Sequence, residues 1–158
     1  MRIELSSVKP KLAWLVDELG IDKRELKEGS NFNSRLKLQK VCFLLGSMGK
    51  SPFNKLNFNL YLRGPYSPSL ATQYYDLNGD HPEPITLTRN EHETLEWFTH
   101  LDLRQMEVAS SIILIQGFGK GKMPDEDIYS VLTVSKPWVE KDDFQRMIGE
   151  LRKKGLVK

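Results

Sequence analysis

Cysteine and histidine are scarce in this sequence, and long apolar runs are missing. Each shortage removes a class of protein. One cysteine, Cys42, stands in 158 residues, so no internal disulfide can form and a reducing cytoplasm is the expected compartment. No apolar stretch approaches the ~18–20 residues that span a bilayer, so no membrane partner is expected. The opening residues, MRIELSSVKPKLAW, hold no basic run followed by an apolar core, so no secretory signal is read. Internal repeats and low-complexity segments are lacking too. With 39% apolar and 9% aromatic residues the chain is unlike a disordered tail, and it is short for a (β/α)8 barrel. Its length suits a single domain over 1–158, with 1–102 and 103–158 as candidate lobes.

Charge of one sign is scarce overall but not locally. The chain carries 23 Lys+Arg and 21 Asp+Glu, a net of +2. Residues 1–58 hold eleven basic and six acidic side chains, 59–100 hold two and six, and 101–158 hold ten and nine. Near-neutrality therefore permits an electropositive face built from the first third of the chain.

Periodicity supplies the elements. Val8, Leu12, Leu15, Val16 and Leu19 form one helical stripe, with Ser6 or Ser7 as cap and Gly20 as stop. Asp22 to Glu28 reads as a short helix or loop. A second helix starts at Asn33 or Ser34 and turns Leu38, Val41, Cys42 and Leu45 inward, leaving Arg35, Lys37 and Lys40 outside. Phe58, Leu60 and Leu62 alternate with polar neighbours as a half-buried strand does, and Gly64-Pro65 breaks it. Ser67-Pro68 opens a helix that Asn78-Gly79 stops, and Ile85 to Leu87 is a very short strand. Thr88 and Glu91 form a capping-box pattern, with Leu95 and Phe98 inward. Met106 to Ile115 is apolar on most sides, as a central helix would be. Pro124 opens a helix with Ile128, Val131 and Leu132 inward, and Pro137 closes it. A last helix places Phe144, Met147, Ile148 and Leu151 on one face and ends at Gly155. The expected fold is mainly α, about six to seven helices with a short central β element. Its C-terminal end is a tri-helical, winged-helix-like arrangement without a complete wing.

Familiar chemistry finds little purchase. Gly49-Lys50-Ser51 resembles the tail of a phosphate-binding loop, but Leu44 stands where the first glycine belongs; Gly121-Lys122 fails likewise, with Gln116 in that place. His92, Glu96 and His100 share a helix face, yet eight residues span about 12 Å of axis, so a wet polar face explains them more simply than a metal. Cys42 lies on an apolar stripe, where a thiol is inert, and no Gly-x-Ser-x-Gly elbow occurs. No catalytic residue, metal ligand or cofactor is assigned.

The most informative stretch runs from Tyr61 to Leu70. Gly64 permits a sharp turn, Pro65 and Pro68 fix two φ angles, and Ser67 caps the next helix. Such a corner holds Tyr61, Arg63, Gly64, Pro65, Tyr66 and Ser67 in defined directions. It either makes a structural bend or binds an anion or partner, with Arg63 as a clamp. Leu38-Gln39-Lys40-Val41-Cys42-Phe43-Leu44-Leu45, followed by Phe58 and the stretch Leu60 to Leu70, resembles the YwgA-like family of bacterial and archaeal proteins. The likeness covers about residues 34–156 and implies a shared fold without an established enzyme chemistry. A more distant likeness is to the Panacea (SocA-like) antitoxin domain, which pairs a similar Leu-x-Lys helix with a Gly-Pro segment.

Three functional expectations follow. The first is a non-enzymatic module that binds nucleic acid, as a regulator or defence-associated component, through Arg35, Lys37, Lys40, Lys50 and Lys55. The second is a protein-interaction or antitoxin-like adaptor whose corner, with exposed aromatics such as Trp138, meets a partner protein. An enzyme acting at the Arg63–Tyr66 corner comes third. Asp142 and Asp143, in the first turn of the last helix, disfavour that helix as a reader of DNA bases.

Overall fold

A computed structural model describes residues 8–27, 29, 32–77 and 81–158. Seven α-helices and one two-stranded antiparallel sheet occur among them. The helices are α1 (Val8–Glu18), α2 (Phe32–Ser47), α3 (Pro68–Tyr74), α4 (Arg89–Thr99), α5 (Leu103–Phe118), α6 (Asp125–Ser135) and α7 (Lys141–Lys153); the strands are β1 (Asn59–Tyr61) and β2 (Gly64–Tyr66). The capping serines expected at Ser6 or Ser7, and the stop at Asn78-Gly79, lie outside the described residues. Among the described residues no helix is long and apolar enough to cross a membrane.

Local sequence explains most helix starts. The Thr88 hydroxyl accepts from the Glu91 amide at 3.2 Å while the Glu91 carboxylate accepts from the Thr88 amide at 2.8 Å, a reciprocal cap. Asp102 and Gln105 repeat the arrangement at the start of α5. Three acidic residues occupy the first turn of α6 and two basic ones the last turn of α7, each complementing the helix dipole.

Helices α2 and α5 pack together at the centre, and α5 also meets β2, α6 and α7. One apolar core draws side chains from Val8 through Val157, so both expected lobes feed it. Every residue of α2 from Leu38 to Leu45 is buried, Gln39 and Lys40 included. The sequence pattern put Lys40 outside; the β-hairpin and α5 cover the face that it occupies, and that expectation is corrected.

Three further expectations change. The predicted strand over 58–62 is shorter, and Gly64-Pro65 does not end the sheet but begins its second strand. Leu62 and Arg63 form a two-residue turn, and Tyr61 pairs with Gly64, Leu60 with Pro65 and Asn59 with Tyr66. Ile85 to Leu87 forms no strand, although Ile85 is buried in the core. Val131 does not face inward: it is exposed, as is Val134 three residues on.

Candidate functional site

The hairpin is fastened to the molecule on its inner side by polar groups rather than by apolar packing alone. Gln39 of α2 supplies the first clamp. Its Nε2 donates to the Ser67 carbonyl at 3.0 Å and its Oε1 accepts from the Ser67 amide at 2.9 Å, as a neighbouring strand would. The same Nε2 lies 3.3 Å from the Tyr74 hydroxyl. Ser67 in turn caps α3, its Oγ accepting from the Leu70 amide at 3.3 Å. One side chain thus ties α2 to the exit of the hairpin and to the helix that follows.

Lysines supply two more fasteners. The Lys40 ammonium donates to the Pro65 carbonyl at 2.7 Å, and Lys136, at the end of α6, donates to the Leu62 carbonyl at 2.9 Å. Both lysines are buried. Arg63 completes the group: its Nη1 lies 3.3 Å from Oε1 of Glu107, a carboxylate only 3% exposed on α5. Three cationic side chains therefore surround one carboxylate. Burial pushes the Lys40 amine down to about 7; Lys136 and Arg63 push the same way and Glu107 opposes them. Burial likewise lowers Lys136.

Gly64 sits where this group is tightest. Its φ of +97° belongs to the region that favours glycine. A Cβ there would lie 3.1 Å from the Ser111 hydroxyl and 3.2 Å from Cε of Lys40. Ser111 Oγ is buried without a hydrogen-bond partner. The Lys40 amine has the depressed basicity of a reactive lysine, but its hydrogen bond and burial make it an anchor. A cleft of about 440 Å³ lies elsewhere, lined by residues such as Trp97, Arg104, Trp138 and Met147.

The outer side of the hairpin contrasts with the inner. Leu62 is 72% exposed, and Tyr61 is exposed beside it, its ring edge-on to Tyr66 with centroids 5.5 Å apart. Arg63 reaches over the exposed Phe32 ring at 5.9 Å. Tyr66 is half-buried, and burial raises its phenol above the ordinary value.

The structure brings together all six corner residues expected from the sequence. It does not bring together the five basic ones. Lys40 is inside, so its expected contact with nucleic acid has no exposed amine to make it. Lys50 pairs with Glu91 at 2.7 Å, both side chains about four-fifths covered. Arg35 is half-buried, its Nη1 3.4 Å from the Tyr75 hydroxyl. Lys37 is half-buried on α2, and Lys55 is exposed at the end of a short 3-10 turn, Phe53–Lys55. Among the described residues no three His, Cys, Asp or Glu side chains gather to hold a metal, and His100 directs its Nδ1 to the Glu96 carbonyl at 2.7 Å.

Sequence reasoning missed the roles of Gln39, Glu107, Ser111 and Lys136. Glu107 carried a readable signal: a carboxylate inside an otherwise apolar run needs a buried cationic partner. Gln39 offered none beyond its place in the Leu-Gln-Lys stretch. Comparison of the chain with family models, curated proteins and solved structures returns no match.

Proposed function

We propose that the protein is a cytoplasmic protein-interaction module of the adaptor type, which presents the Asn59–Tyr66 hairpin to a partner protein. One observation carries this reading: the hairpin is held rigidly from below by Gln39, Lys40 and Lys136 while Leu62, at its turn, remains 72% exposed. A preorganised, exposed apolar turn loses little conformational freedom on binding, which favours affinity. A nucleic-acid reading would draw on five basic side chains, of which Lys40 is buried and Lys50 is paired with a carboxylate.

A photo-reactive amino acid in place of Leu62 tests the proposal in cells. The expected result is a discrete protein adduct from position 62 and none from position 93 on the exposed face of α4. Adducts to nucleic acid alone, or none at all from position 62, would overturn it.

A further inference from the structure

The two edges of the hairpin are finished differently. Tyr61 and Gly64 close the turn as a hydrogen-bonded pair. Main-chain groups alternate along an antiparallel ladder, so those of the next pair, Leu60 and Pro65, point away from the sheet on either side. On the β2 side that edge is sealed. Pro65 has no N–H, its carbonyl accepts from the Lys40 ammonium at 2.7 Å, and the Ser67 amide donates to Gln39 Oε1 at 2.9 Å. On the β1 side, among the described residues, no hydrogen bond reaches the Leu60 N–H or carbonyl.

The same strand lacks the devices that normally close an edge. Exposed edges are blunted by lysine, by proline or by a bulge. From Leu56 to Leu62 there is no charged residue, no proline and no glycine, in a chain of which 28% is charged. Nothing from Asn57 to Arg63 is buried, whereas Gly64, Pro65 and Ser67 are. The Phe58 ring stands edge-on to Phe43 with centroids 5.3 Å apart and holds the approach to the strand in place. Asn59 and Tyr61, both exposed and both uncharged, flank Leu60 along the strand.

We propose, resting on the protein-interaction reading above, that the partner protein adds an extended segment to the outer edge of β1, pairing its main chain with Leu60 and making the hairpin a three-stranded sheet. A donor and an acceptor side by side on a strand edge are matched by the main chain of another strand. A helix satisfies its own main-chain groups and has none to offer there. The uncharged surroundings select an uncharged, proline-free segment, with β-branched or aromatic side chains against Tyr61. A second copy of this chain fits less well. Aligned in either direction, two β1 strands would bring the cations that flank them, Lys55 and Arg63, against those of the other copy, and like charges across strands repel.

The test is an NMR titration of the full chain with a ten-residue peptide of alternating Thr and Val, and with the same peptide N-methylated at every amide. At saturation with the first peptide, the Leu60 amide is expected to exchange with solvent at least tenfold more slowly, while amides in the middle of α5 are unchanged. The N-methylated peptide, which has no N–H to pair, should not bind. Leu60→Pro removes an N–H that points away from β2, so the hairpin keeps its own bonds; it should weaken binding at least tenfold with circular dichroism unchanged. Leu60→Val keeps that N–H and should bind within about twofold of the unaltered chain. Equal binding of the two peptides, no binding by either, or protection of Leu60 in concentrated protein without peptide, as a second copy on the edge would give, would overturn the proposal. If position 62 captures a protein in cells while the peptide leaves Leu60 unprotected, strand addition is wrong and the interaction reading stands. Protection of Leu60 without capture at 62 removes the adaptor reading and leaves the strand site, and failure of both removes both.

Discussion

The two sides of one short hairpin differ in nearly every respect. The inner side is buried and polar, its main-chain groups taken up by Gln39, Lys40 and Lys136. The outer side is apolar and wet, with Leu62 and Tyr61 in solvent. A hydrophobic interior would ordinarily put these the other way round. A strand pair of three residues each is too short to be stable alone, so it must borrow hydrogen bonds from the helices beneath. That borrowing fixes its orientation and leaves its side chains free to face outward. Fastening and display are thus separable, and substitutions on the two sides should report different things.

The largest expected effect is on the inner side. Gln39→Ala leaves the Ser67 amide buried without a partner, at a cost of about 1–3 kcal/mol, while the Ser67 carbonyl keeps the Ala71 amide at 3.1 Å. With the cavity that the fully buried side chain leaves, chemical denaturation should show a loss of about 3–4 kcal/mol in unfolding free energy. Gly64→Ala comes next. Its φ of +97° and the 3.1 and 3.2 Å approaches to Ser111 and Lys40 predict about 2–3 kcal/mol of destabilisation by the same measurement.

A smaller effect separates charge from contact. Lys40 titrates near 7 in the fold, against an ordinary 10.5. Between those values the unfolded chain binds more protons than the folded one, so this group makes stability rise with pH across that window, and below about 7 its pH dependence is gone because both states are protonated. The slope from one such proton is at most about 1.4 kcal/mol per pH unit. Lys40→Met should flatten the rise in denaturant midpoint between pH 7 and 10, whereas a surface change such as Lys55→Met should leave it unaltered. Lys136, shifted in the same direction, leaves part of the slope behind in the variant.

The smallest stability effect belongs to the outer side. Leu62→Ser touches no buried contact, and thermal or chemical unfolding should move by less than about 0.5 kcal/mol. Capture of a partner should nevertheless fall about tenfold. An unfolding change above 1 kcal/mol from this substitution would mean that the two sides are coupled after all.

How much of this was readable beforehand follows from the kinds of signal involved. The helices were legible because capping residues such as Thr88 and Glu91, and apolar stripes such as Phe144 to Leu151, act over one or two turns. The six corner residues were legible because glycine and proline restrict the backbone locally. Lys40 was misread because a lysine on the polar side of a stripe ordinarily faces water. Only the arrival of Pro65, 25 residues later in the chain, gives its amine a buried partner. The same distance hides which groups Glu107 and Lys136 meet, since Arg63 and Leu62 lie 44 and 74 residues away. Contacts of that separation leave no periodic trace in one sequence.

The hairpin is locked to the core rather than hinged on it. The Ser67 amide reports this directly, since it donates to Gln39 Oε1 at 2.9 Å in a buried setting. Native-state hydrogen exchange at that amide should proceed only through global unfolding, with the same free energy as amides in the middle of α5. Exchange through a local opening, at a free energy several kcal/mol below that of α5, would contradict the account.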